Sequence, residues 1–155
     1  MSKLLTIPPG AARERWVPLL ELADEPIPIR GYLHEGTLHA IEDEHGEPCA
    51  AVLEIELGKD VAELRAVAVA EPHQGRGIGS WIVTEVCGRL HMAGKRRVVV
   101  GTASSGLRQL GFYQRLGFRL SHVERDFFTP QRGYPAGDVE NGIRVRDMVW
   151  MDKSL

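Results

Sequence analysis

The chain has 155 residues, with 19 Lys and Arg against 21 Asp and Glu, for a formal net charge of -2 at pH 7. That length suits one domain with a sizeable core, and the near-neutral balance offers a polyanion such as nucleic acid no bulk attraction. Cys49 and Cys87 lie far apart in apolar stretches and read as small core residues in a reducing compartment. No window approaches the roughly 18 to 20 apolar residues of a membrane span, and the start MSKLLTIPPG is too short an apolar run for a secretory signal. The expectation is a cytoplasmic chain with no membrane partner.

Residues 3 to 7 suit a short strand, Ala12 to Ala23 has the apolar spacing of a helix, and 26 to 34 suits a second, shorter one. Leu38 to Glu42 and Pro48 to Leu57 read as strands joined by the turn DEHGEP, and Val61 to Ala70 as a third consecutive strand. Ile78, Trp81, Ile82, Val86 and Leu90 then recur at helical spacing until Gly94. RRVVVGTA is a buried strand by its β-branched run, and SSGLRQLGFYQRLGF a helix opened by serines and closed by Gly117. A strand FRLSHVERDFF, about a dozen turn-prone residues and a last strand IRVRDMVWM complete the chain. An antiparallel meander followed by alternating strands and helices makes a mixed α/β sheet, not a doubly wound parallel one.

The stretch ELRAVAVAEPHQGRGIGSWIV gives up side chains at Gly75, Gly77 and Gly79, at a strand-to-helix junction. There the first helical N–H groups lack partners and carry partial positive charge, and a backbone without Cβ atoms can approach an anion closely. A dinucleotide fingerprint fails at Ser80, and a nucleoside-triphosphate loop lacks its Lys-Ser or Lys-Thr pair. Gln74-Gly75-Arg76-Gly77-Ile78-Gly79 resembles the Q-x-x-G-x-G segment of the GNAT acetyltransferase superfamily, where this turn cradles the pyrophosphate of acetyl-CoA. GLRQLGFYQRLGF resembles that superfamily's N-x-R-A-x-x-F-Y-x-x-x-G-F helix, with Arg108, Phe112, Tyr113, Gly117 and Phe118 in place. The tail, with its D-F-F and E-N-G-I-x-x-R-D-M segments, further resembles a bacterial GNAT subgroup.

The resemblance implies a GNAT fold: a central mixed, mostly antiparallel twisted sheet of six or seven strands, flanked by about four helices and splayed between the fourth and fifth strands. It implies an acetyl-CoA-dependent N-acetyltransferase acting on a primary amine, either a small molecule or a peptide, in a family whose members are often homodimers. Gln74, Gly75, Arg76, Gly77, Ile78, Gly79 and Ser80 would hold the pyrophosphate, and the backbone of Val67, Ala68 and Val69 the pantetheine arm, with Val67 N–H as oxyanion donor. Gly106 stands where the superfamily carries an asparagine on that arm, so Ser104 or Ser105 would have to substitute.

Tyr113 is the candidate acid for the leaving thiolate and Glu63 the candidate base for an amine that is protonated at neutral pH. Four residues of strand, about 13 Å at ~3.3 Å each, separate Glu63 from Val67, so the base needs a bridging water or a bulge. The loop 129 to 142, with Tyr134, Asp138, Glu140 and Asn141, is expected to border the acceptor pocket, and its carboxylates suit a cationic amine. The six histidines and two cysteines show no metal-site spacing, and no G-x-S-x-G elbow supports a covalent serine route. Two rivals stand beside the enzyme: a catalytically silent CoA-binding sensor, and an unrelated domain whose glycine turn holds another nucleotide.

Overall fold

A computed structural model of the protein describes residues 3–155. Strand β1 (Leu5–Ile7) leads through a 3-10 turn (Ala11–Trp16) into helices α1 (Val17–Leu20) and α2 (Pro26–Tyr32). The meander β2 (Thr37–Glu42), β3 (Pro48–Glu56) and β4 (Val61–Val69) follows, then α3 (Ile78–Met92), β5 (Arg97–Ala103), α4 (Leu107–Arg115) and β6 (Arg119–Glu124). A small ribbon of β7 (Val139–Glu140) and β8 (Ile143–Arg144) precedes β9 (Met148–Ser154). Seven strands form one sheet in the order β1-β2-β3-β4-β5-β9-β6, antiparallel throughout except for the parallel pair β4–β5. This is the mixed, mostly antiparallel sheet expected from the element order.

Each face of the sheet carries its own core. Ile82, Val86 and Leu90 of α3 pack on Val52, Leu64 and Val100, while Trp16, Leu20 and Ile29 from the α1–α2 side pack on Leu38, Ala51 and Leu53. A bulge in β4 changes which residues meet which core: Leu53 faces Ala66 but Glu54 faces Leu64, leaving Arg65 as the extra residue. Before it, Ala62 and Leu64 look toward α3; after it, Val67 and Val69 do, and Ala66 and Ala68 look toward α1 and α2. The parallel ladder between β4 and β5 has rungs only at Val61–Arg97, Ala62–Val98 and Glu63–Val99. Beyond them the two strands part, which is the splay expected between the fourth and fifth strands.

Four local expectations change. The helix expected over Ala12 to Ala23 is a 3-10 turn followed by one α-helical turn, because Pro18 has no N–H and Val17 N–H closes back on Glu14. The serines do not open α4: Gly106 is its N-cap, Ser105 Oγ donates to Glu140, and Ser104 N–H donates to Asp147 O. The strand expected to reach Phe128 ends at Glu124, with Asp126 turned to φ 56°. The last expected strand divides, because Asn141-Gly142, both at positive φ, makes a two-residue hairpin that takes Ile143 and Arg144 away from the main sheet. Cys49 and Cys87 are buried free thiols, and no helix among the described residues is long and apolar enough to cross a membrane.

Candidate functional site

The bend after β4 is built for an anion. Gly75 and Gly77 sit at φ 77° and 78°, a region that costs an L-residue roughly 1–2 kcal/mol. Gly77 is the N-cap of α3 and offers no side chain, so the N–H groups of Ile78, Gly79 and Ser80 have no acceptor among the described residues; the ladder begins with Trp81 N–H on Gly77 O. The 15-residue helix adds its dipole at the same point. Arg76 is exposed and in no ion pair among the described residues. Gln74 braces the bend by donating its side-chain amide to Val69 O, and His73 lies 3.5 Å from Asp43 of the β2–β3 turn.

Hydrogen bonding decides which β4 groups face the gap. Ala70 N–H donates to Cys49 O, which makes the facing pair Val69–Ala50 a non-bonded one, and Val67–Val52 two residues earlier has the same character. The N–H and C=O of Val67 and Val69 therefore turn away from β3, toward the space that β5 has left. Ala68, between them, gives its backbone to β3 and its side chain to the α1–α2 core. Two of the three expected residues thus face the gap, and the third is committed elsewhere.

The gap opens into a cavity of about 840 Å³, lined by the α1–α2 turn, the start of β4, the middle of β5, α4 and the segment after β6. Glu63 and Tyr113 both line it, as do Asp138 and Glu140. Glu63 is buried, and its two oxygens accept from Arg65 Nε and Nη2 at 2.8 and 2.9 Å, a bidentate pair held by adjacent same-face positions of β4. The Arg65 guanidinium also lies 5.5 Å over the Tyr32 ring. A bulge does lie between Glu63 and Val67, at Arg65, but it turns the two side chains to opposite faces of the sheet.

Tyr113 is 7% exposed, wedged edge-on between Phe112 and Phe118, and its hydroxyl has no hydrogen-bond partner among the described residues. Burial raises its pKa well above the ordinary phenol value, so the group keeps its proton. Ser105, by contrast, is fully buried with its hydroxyl spent on Glu140, and Asn141 donates its side-chain amide to Ser105 O, so the ribbon is tied to the turn before α4. Among the described residues no group of His, Cys, Asp or Glu is arranged to hold a metal ion.

Sequence reasoning placed Tyr134, Asp138 and Glu140 at the cavity but missed Tyr32, Asp24, Phe127, Phe128 and Trp150 in its wall. Tyr32 donates to Asp24 at 2.8 Å, and burial followed by the Asp24 charge raises both Tyr32 and Tyr134. Phe127, Phe128, Tyr134 and Trp150 form a continuous aromatic cluster, with Phe128 and Tyr134 centroids 4.8 Å apart. The pairing of Arg65 with Glu63 was available as an i, i+2 spacing on one strand face; the meeting of Asp24 with Tyr134 was not, because it joins segments at opposite ends of the chain.

Residues 8–118 match the model of the acetyltransferase (GNAT) family. An uncharacterised N-acetyltransferase of Bacillus subtilis, YvbK, is 37% identical over 87 residues, 56% of this chain, and the match spans 55% of that relative's length. A GNAT family acetyltransferase from Elizabethkingia anophelis, solved with acetyl-CoA bound, is 29% identical with a TM-score of 0.87 over 98% of both chains. A Bacillus subtilis acetyltransferase solved with CoA is 28% identical with a TM-score of 0.85 over 99% of both. With the glycine bend, the parted strands and the family match in one place, the chain belongs to the acetyltransferase (GNAT) family.

Proposed function

We propose that the protein is an acetyl-CoA-dependent N-acetyltransferase that acts on a primary amine by direct attack within a ternary complex. One observation carries this: the β4–β5 ladder stops at Glu63–Val99, with a cavity lined by Glu63, Val67 and Tyr113 where the strands part and the unpartnered N–H groups of α3 following β4. The residues present fit acetyl-CoA. The N–H groups of Ile78, Gly79 and Ser80, with Arg76 beside them, suit a diphosphate, and the outward N–H and C=O of Val67 with the N–H of Val69, whose carbonyl Gln74 already holds, suit an amide-bearing arm laid along the strand. Both solved relatives named above hold acetyl-CoA or CoA.

When bound there, acetyl-CoA supplies an activated acetyl carbonyl and a thiolate leaving group. Val67 N–H donates to that carbonyl oxygen as negative charge grows on it. Glu63 receives a proton from the incoming ammonium, through the lone pairs that Arg65 leaves open, and the freed nitrogen forms the C–N bond as the C–S bond breaks. Tyr113 Oη gives its proton to the departing sulfur and is reprotonated by the second proton that the nitrogen sheds. The sum is amide, thiol and one proton released. Arg65 is a positioning residue: it fixes the Glu63 carboxylate on the acceptor side of the sheet, opposite the face that Val67 presents to α3 and α4.

Free thiol released from acetyl-CoA by the purified chain, followed across a panel of amines, tests the proposal. Amine-dependent release is expected; acetyl-CoA that raises the melting temperature yet yields no thiol with any amine would make the protein a silent binding module instead.

A further inference from the structure

We propose that the acceptor is a small aliphatic amine carrying at least two protonated nitrogens; this rests on the acetyl-transfer reading of the same cavity. The charge on the walls is one-sided. Glu21, Asp24, Glu25 and Glu35 line it from the α1–α2 side, and Asp138 and Glu140 from the opposite segment. None of these six is in an ion pair among the described residues. The two guanidiniums that also line it are already matched, Arg65 to Glu63 and Arg132 to Glu124. A chain whose formal charge is only -2 thus concentrates uncompensated carboxylates on the two sides of one cavity.

Acidic walls alone do not make a site; the floor supplies a second, separate indication. Tyr113, 93% buried by its 7% exposure, presents an unpartnered hydroxyl to the same cavity. The ring is buried but the hydroxyl oxygen itself is not sealed in, so it reaches the cavity free to bond an incoming ligand near the reaction centre. The aromatic cluster of Phe127, Phe128, Tyr134 and Trp150 lines the same cavity. It already takes a cation on one face, the Arg132 guanidinium 4.3 Å over the Phe127 ring, and it offers a methylene chain an apolar surface.

These features select against the other amines. An α-amino acid brings a carboxylate into a field of like charge, and a monoamine that places its nitrogen at the reaction centre leaves the remaining carboxylates unmatched. A diamine or polyamine meets Glu63 with one nitrogen while a second lies among the remaining carboxylates, and the roughly 840 Å³ volume is that of a small-molecule site.

The test compares 1,4-diaminobutane and spermidine with butylamine and with alanine at saturating acetyl-CoA, measuring thiol release by the full chain. The diamine and spermidine should exceed butylamine by about tenfold or more in kcat/KM, and the advantage should shrink toward unity in about 0.5 M salt. The double substitution Glu21→Gln with Glu25→Gln should raise KM for the diamine about fivefold, with the KM for acetyl-CoA unmoved. Butylamine or alanine matching the diamine would overturn this acceptor class and leave acetyl transfer standing. An absence of thiol with every amine would overturn both.

Discussion

Glu63 and Val99 form the last rung between β4 and β5, and the residue two positions beyond Glu63 is the bulged Arg65. One short stretch therefore ends the ladder, opens the gap, and turns Val67 to one face of the sheet while Glu63 and Arg65 look to the other. In the proposed mechanism this separation of Val67 from Glu63 would let the two substrates enter from opposite sides and meet at the parting of the strands.

Glu63→Gln is the first consequence. If the carboxylate takes the amine's proton, the variant loses about 100-fold or more in kcat/KM at neutral pH and the rate loses its wild-type rise with pH. A pH–rate profile checks this, and an unchanged profile would return Glu63 to the structural role of holding Arg65.

Tyr113→Phe separates chemistry from folding. Its hydroxyl makes no hydrogen bond among the described residues, so the variant should match the wild type in urea stability to within about 1 kcal/mol. Its kcat should fall by about tenfold or more while the KM for acetyl-CoA holds, as expected when a proton donor to the departing sulfur is lost.

Gly77→Ala tests the bend. No neighbour would meet the added Cβ, so the cost is the positive φ itself, about 1 kcal/mol of stability by denaturant titration. Relaxing that strain turns the first N–H groups of α3, so the KM for acetyl-CoA should rise about tenfold.

All three tyrosines of the chain, Tyr32, Tyr113 and Tyr134, have raised pKa values, burial being the main cause and Asp24 adding to it for Tyr32 and Tyr134. An acid whose folded pKa lies above its unfolded one contributes stability below about pH 10 that is lost as pH climbs past it. Phenolate absorbance should therefore stay absent in the folded chain above pH 10 and appear together with the loss of secondary structure. Phenolate forming earlier, with circular dichroism unchanged, would show that the tyrosines are open to water.

The glycine bend was legible because positive φ and an unpartnered helix start demand glycine at fixed spacing, and Tyr113 because its helix carries a recognisable pattern. The bulge was not. After Arg65 the strand reads Ala66-Val67-Ala68-Val69, and since alanine and valine fit either face the alternation reads the same with or without a slipped position. Pro18 does announce that the first helix cannot run unbroken, and Asn141-Gly142 does announce a hairpin, but both signals compete with longer apolar patterns around them. The acidic and aromatic walls depend on contacts such as Tyr134 with Asp24, which no local pattern encodes.

The most direct measurement is a crystal structure of the protein with acetyl-CoA. The diphosphate should lie within hydrogen-bond distance of the N–H groups of Ile78, Gly79 and Ser80, with the thioester carbonyl at Val67 N–H and the sulfur facing Tyr113. An ordered cofactor bound away from an empty bend would contradict it.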